Sequence, residues 1–280
     1  MSSYSDFRSR DISKSQNEQN SAASYRCVAW GGNEHGQCDV PSGRFTQVAA
    51  GCDHSIGLRE DGTIDCWGRN IMGQCDAPEG VFKSVAANGW HSLAIREDGS
   101  VAYWGRRDGE SREPEGVFVQ LAAGGSHSVG LRADGTVACW GNNFSGQCDA
   151  PVGRFKQIAA GTAHSIGLRE DGKIVYWGSN YSGQCEVLPG VFTQIAAGRD
   201  FTVALHEDGK AHLCGEIYGV LTGEFSQVVG SSGGNFFSVL RENGTIALLG
   251  MMASGQNNFP ELMFKQISLG SEHCLGLVID

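Results

Sequence analysis

The 280-residue sequence is poor in proline, with six residues, and in charge, with Asp, Glu, Lys and Arg at 19%. It also has no apolar run near the roughly 18 residues that would cross a bilayer as a helix. Each shortage excludes a class. A collagen helix needs glycine at every third position and abundant proline. A disordered chain would carry more charge and less than the 40% apolar content found here. The first 24 residues, MSSYSDFRSRDISKSQNEQNSAAS, lack the apolar core of a secretory leader. They read as a disordered polar tail ahead of a folded region spanning 25–280. Arg8, Arg10 and Lys14 are diluted there by Asp6, Asp11 and Glu18, a poor pattern for holding nucleic acid. Reduced thiols, and hence a cytoplasmic setting, are expected for the ten cysteines.

What is abundant is glycine, at 41 residues, about twice ordinary usage. A repeat accounts for it. From Phe45 the chain reads RFTQVAAGCDHSIGLREDGTIDCWGRNIMGQCDAPEG, and the pattern recurs from Phe82, Phe118, Phe155, Phe192, Phe225 and Phe264. Those phenylalanines are 37, 36, 37, 37, 33 and 39 residues apart. Within each copy, HSIGLRE and TIDCWG alternate apolar and polar residues around an Asp-Gly pair, the strongest short hairpin signal. Three or four short strands per copy match one propeller blade. The seventh copy stops in mid-blade, at Asp280, and the missing strand type stands at the other terminus as Tyr25-Arg26-Cys27-Val28-Ala29-Trp30-Gly31. The expected fold is therefore all-β: a seven-bladed β-propeller whose last blade is completed by N- and C-terminal strands, leaving no open sheet edge.

The recurring string AAGxxHSxxLxxDGxVxxWGxNxxGQ, as in AAGCDHSIGL, AANGWHSLAI, AAGGSHSVGL and AAGTAHSIGL, resembles the regulator-of-chromosome-condensation repeat family over about residues 25–280. The resemblance implies a seven-bladed propeller. It also implies a choice among functions, since the family includes the exchange factor for the small GTPase Ran, a bacterial inhibitor of beta-lactamases, a plant ultraviolet-B photoreceptor and effectors that bacteria place in host cytosol. The uniform repeat length looks most like the compact bacterial-type members. The sequence departs from the pattern in places. Cys214 and Leu249 replace the repeat tryptophan, and Phe201 and Phe237 replace the repeat histidine. The segment from Cys214 to Phe225 is 11 residues, against 15 in most copies. The wedge by which the exchange factor dislodges nucleotide has no visible counterpart.

Catalytic and metal motifs are missing. No G-x-S-x-G, P-loop or H-E-x-x-H occurs. His54, His91, His127, His164 and His273 share one repeat position, so they spread around a ring and read as ties between blades. Cys38, Cys75, Cys148 and Cys185 follow Gly-Gln at least 37 residues apart, too far for zinc pairs, and read as small buried hydrophobes. Trp30, Trp67, Trp104, Trp140 and Trp177 read as core for the same reason. The Asp-Gly segments lack the oxygen ladder of a calcium loop. No enzyme activity, cofactor or metal is expected.

The AAG-xx-H and WG-NxxGQ loops fall at one end of every blade, and their residues vary while strands and turns hold constant. That face is the expected partner site. Its candidate residues are Asp53, Met72, Trp90, Arg106, Arg107, Phe144, Tyr181, Arg199, Asp200, Tyr218 and Glu272, rich in the aromatic, methionine and arginine types of binding hot spots. Trp90 alone is too little for the photoreceptor's light-sensing cluster. The formal charge of −10 opposes nucleic acid and anionic membranes and favours a partner with a basic patch. The expectation is a monomeric, non-enzymatic interaction propeller binding a Ran- or Rab-type small GTPase, with nucleotide exchange as the activity the resemblance implies. A stoichiometric protein inhibitor and a structural scaffold remain as alternatives.

Overall fold

A computed structural model describes residues 23–107, 113–186, 188–231, 233–252 and 255–279. The expected polar tail lies outside them, apart from Ala23 and Ser24. The described residues form seven antiparallel sheets, one per blade. Blade one contains Gln47–Ala50, His54–Leu58 and Ile64–Gly68; blade two, Phe82–Asn88, His91–Arg96 and Val101–Gly105; blade three, Phe118–Ala123, His127–Arg132 and Val137–Gly141. Blade four contains Phe155–Ala160, His164–Arg169 and Ile174–Gly178; blade five, Phe192–Ala197, Phe201–His206, Ala211–Gly215 and Gly219–Leu221; blade six, Phe225–Gly230, Phe236–Arg241 and Ile246–Gly250. The shortened stretch after Cys214 thus becomes an extra strand, paired to its own blade through His212 and Val220.

Blade seven closes the ring. Phe264–Leu269 and His273–Val278 come from the C-terminal end, Tyr25–Gly31 and Arg44–Phe45 from the N-terminal end. Arg26 pairs with Val278 and Gly31 with His273, in unbroken register. Each blade's first strand lines a central channel of about 250 Å³ with Val48, Val85, Ala122, Ile158, Val228 and their neighbours.

The repeat phenylalanine anchors each core. Phe45, Phe155, Phe192 and Phe264 are at most 1% exposed. A β-carbon on Gly130, Gly167 or Gly276 would stand within 2.7 Å of the phenylalanine ring of its blade, and one on Gly57 at 2.4 Å from Phe45, so the glycine three after the repeat histidine leaves the space the ring fills. In four blades the arginine at the end of the second strand caps the ring from outside, as Arg59 does at 5.0 Å from Phe45 and Arg169 at 5.6 Å from Phe155.

Between blades the seam is polar. His54 Nε2 meets Ser92 Oγ at 2.9 Å, His91 meets Ser128 at 3.0 Å, His127 meets Ser165 at 2.8 Å, and His273 meets Ser55 at 2.9 Å; His164 reaches Thr202 at 3.5 Å. The Ser55 hydroxyl donates to the Gln37 carbonyl at 2.9 Å, and Ser92 and Ser165 do likewise to Gln74 and Gln147. With that proton committed, the histidine Nε2–H is the donor and Nδ1 holds the bare lone pair. Phe201 interrupts the series by taking a histidine's place in blade five, and its ring lies 6.2 Å from that of Phe237 in blade six. Here the structure corrects the sequence reading. Phe236 pairs with Gly250 as His54 pairs with Gly68, so Phe236 stands in the histidine place and Phe237 in that of the serine. Where the histidine is lost, its hydroxyl partner is lost too, and an apolar pair replaces a polar one. The GQC cysteines are half-buried rather than buried, with the Cys38 thiol 3.3 Å from the Gly32 carbonyl. All ten cysteines are free thiols.

Candidate loop-face interaction site

Backbone bonds fix both loop sets at one end of the ring. Arg69 N–H donates to Asp53 O at 2.9 Å, Arg106 N–H to Trp90 O at 2.9 Å, and Asn142 N–H to Ser126 O at 2.9 Å. The WG loop of each blade is thereby tied to the loop joining that blade's first two strands. Inner loops are also joined in sequence around the channel mouth, as Cys52 N–H donates to Gly89 O and Thr162 N–H to Arg199 O. The face has two zones, an inner ring around the channel and an outer ring of loop tips.

The inner zone is charged. Arg69 holds Asp53 Oδ2 at 3.0 Å, and its guanidinium lies 4.5 Å from the Trp90 ring of the next blade. Trp90, a candidate partner residue, is therefore half-buried, its ring face covered by an arginine. Trp90, Arg106 and Arg199 line a depression of about 240 Å³ with Cys52, Asn88 and Thr162. Arg199 Nε stands 3.3 Å from Asp200 Oδ2. Burial and the nearby Glu216 carboxylate raise the Asp200 carboxyl above its usual range, against the pull of Arg199. Glu272 is exposed at the same end, and its carbonyl accepts from Gly32 N–H at 2.7 Å.

The outer zone is apolar. Phe144 and Tyr181 are each 96% exposed, Tyr218 83% and Met72 46%. They stand on separate tips, spread around the rim rather than gathered at one point. Arg107 turns sideways, 5.1 Å over the Tyr103 ring and 3.0 Å from Glu113. Asp108, beside it in the same loop, is outside the described residues. Arg69 is the contributor the sequence reading passes over. The residue after each WG-type glycine reads Gly32, Arg69, Arg106, Asn142, Ser179, Glu216 and Met251, so two arginines stand out at a position that otherwise has none. Ile71 and Met251 belong to the same rim, at 62% and 81% exposure.

Among its described residues the face assembles no catalytic group. The His–Ser pairs have the reach of a nucleophile and base, but His54, His127, His164 and their hydroxyl partners are at most 1% exposed, closed to any substrate. A concavity of about 540 Å³ lies at the opposite, hairpin-turn end beside Phe259, Leu262, Met263 and Ile279. Among the described residues no helix is long and apolar enough to cross a membrane.

Comparison with known proteins agrees with this architecture. Residues 45–74, 118–147 and 155–184 match the regulator of chromosome condensation (RCC1) repeat. No curated protein matches by sequence. Among solved structures, Prp20p of Saccharomyces cerevisiae, described with its binding properties to Gsp1p and histones, superposes with a TM-score of 0.77 at 18% identity, over 92% of each chain. Human WBSCR16 gives 0.78 at 16% identity, over 91% of this chain and all of its own. The ectodomain of the Arabidopsis thaliana receptor kinase ACR4 gives 0.70 at 17%, over 83% of this chain and 92% of its own. Three stretches of the chain thus match the regulator of chromosome condensation (RCC1) repeat, and its ring of blades is the fold of these solved propellers.

Proposed function

We propose that this propeller is a non-enzymatic interaction module that binds a globular protein through its loop face. The observation that carries the reading is the concentration of copy-to-copy variation on that one face: a charged inner zone ringed by exposed Phe144, Tyr181 and Tyr218. A mixed aromatic and arginine surface of this kind suits protein recognition. The partner class we favour is a small GTPase of the Ran or Rab type, with exchange of its nucleotide as the activity. Two things support it. Prp20p, of the same fold, is described with binding to Gsp1p and to histones. The charge of −10 suits a partner presenting a basic patch. A compact inhibitor or scaffold would use the same surface.

Two measurements test this. Nucleotide release from a panel of small GTPases is followed with and without the protein. Accelerated release, or a complex on gel filtration, is the expected result, and neither with any GTPase would end the GTPase reading. Separately, Trp90→Ala, Tyr181→Ala and Tyr218→Ala in one variant should weaken capture of the partner by at least about tenfold, since hot-spot truncations cost roughly 1–2 kcal/mol or more each. Thermal stability should hardly move for the two rim tyrosines. A large fall in melting temperature would mean that these residues support the fold instead.

A further inference from the structure

Blade five breaks the repeat at its hairpin end, on the face opposite the loops. In the other hairpins with a complete turn the residue two before the turn Asp or Asn is arginine: Arg59, Arg96, Arg132, Arg169 and Arg241. In blade five it is His206. Blade one sets Asp65 on the neighbouring strand, in contact with Arg59. The residue in register with Asp65 is His212, since Asp65 faces Gly57 and His212 faces Ala204, the same ladder position. An arginine–aspartate pair in blade one is thus a histidine pair in blade five.

The two imidazoles are held by their surroundings. Both rest edge-on against Phe192, His206 at 5.3 Å and His212 at 5.8 Å between ring centres. They lie 5.3 Å from each other, tilted by 41°. Gly190, at φ 126°, leaves room for the ring: a β-carbon there would stand 2.4 Å from His206 Nε2, as one on Gly43 would from Arg59 Nη1. With Nε2 against Gly190, Nδ1 faces the turn, where Asp208 Oδ1 stands 2.8 Å away. Lys210 Nζ holds the other carboxylate oxygen, Oδ2, at 2.5 Å, and the Lys210 backbone N–H donates to Oδ1 at 3.1 Å, which fixes Oδ1 beside His206. One ligand atom from each of His206, Asp208 and His212 lies within 4.8 Å of the other two.

We propose that His206, Asp208 and His212 form a binding site for a first-row divalent transition-metal cation, with zinc as the reference ion. Two imidazoles and one carboxylate suit zinc, cobalt, nickel or copper, whereas calcium and magnesium call for an all-oxygen shell. Zinc bonds of roughly 2.0–2.2 Å put tetrahedral ligands about 3.4 Å apart, so the trio needs only small side-chain rotations to close on an ion. Three protein ligands leave a fourth position for water. The Lys210 ammonium works against a cation here and makes the site weaker than a closed structural zinc centre.

The site is tested by titrating zinc into the full-length protein under reducing conditions, by calorimetry, with calcium as the control. The double variant His206→Arg, His212→Asp restores the blade-one pair and so keeps a stable hairpin. Saturable one-to-one zinc binding is expected for the natural chain, calcium should give no heat, and the double variant should lose more than the roughly 10- to 100-fold that an outer-shell partner is worth. Ten cysteines offer another home for zinc, so cobalt absorption is read in parallel. Visible bands without sulfur charge transfer, lost in the double variant, support the histidine site. Zinc affinity unchanged in the double variant, sulfur charge transfer in the cobalt spectrum, or no saturable binding at all would each overturn it.

Discussion

Lowering the pH from 7 to 4.5 should remove about 10 kcal/mol of stability from this propeller, enough to unfold an ordinary domain. The source is the seam between blades. Burial holds the imidazoles of His54 and His127 down at about 3 and those of His164 and His273 at about 4, against 6.5 for a free histidine. Nδ1 of each has no partner, so a proton arriving there would be buried without compensation. In the unfolded chain these rings take up protons as the pH falls through about 6.5; in the folded ring they refuse them until about 4 or 3. The unfolded state therefore binds more protons throughout that window, and stability falls as pH falls. At pH 4.5 each ring contributes roughly 2–3 kcal/mol of that loss. Urea midpoints measured between pH 7 and 4.5 give the slope. His127→Gln should be less stable at pH 7 yet lose about a quarter of the pH dependence. A flat profile down to pH 5, or a slope unchanged in His127→Gln, would show that the seam histidines do not titrate this way.

Phe155→Ala should cost about 3–5 kcal/mol, the usual range for emptying a phenylalanine site in a packed core. Phe155 is 1% exposed, its ring occupies the space above Gly167, and Trp177 and Arg169 lie against it at 6.3 and 5.6 Å. Removing it leaves three groups without their common surface. Val152→Ala, three residues earlier and 98% exposed, should stay within about 0.5 kcal/mol. Chemical denaturation of both variants checks the contrast, and equal effects would mean that the ring is not the anchor of its blade.

The fold is legible in the sequence because the blades draw on the same few residues for the same reasons. A phenylalanine fills each core, a glycine makes room for it in four blades, and an Asp-Gly or Asn-Gly turn reverses the strands in six. Seven phenylalanines and a count to the chain's last residue suffice to predict the closing blade. Register fails only in blade six, where GSSGGN lengthens the loop and shifts the histidine place from Phe237 to Phe236. The loop face is legible as a location, since alternation puts both variable loops at one end. Its contacts are not. That Arg69 covers Trp90 depends on two blades meeting, and nothing in either repeat unit alone encodes the distance between them. His206 and His212 are hidden for a related reason, because a comparison along one strand misses a pair that is adjacent only across the hairpin.

The closing blade also bears on how the molecule is made. Tyr25–Gly31 is the first strand of the ring to be made, yet its partner His273–Val278 lies about 250 positions later. Blades one to six can each form from neighbouring residues as they are synthesised, but this strand must wait, with its hydrogen-bonding edge uncovered, until the other six blades have been made. Ring closure is then the slow, long-range step, and the interval before it is when the nascent chain is most open to pairing with another copy of itself.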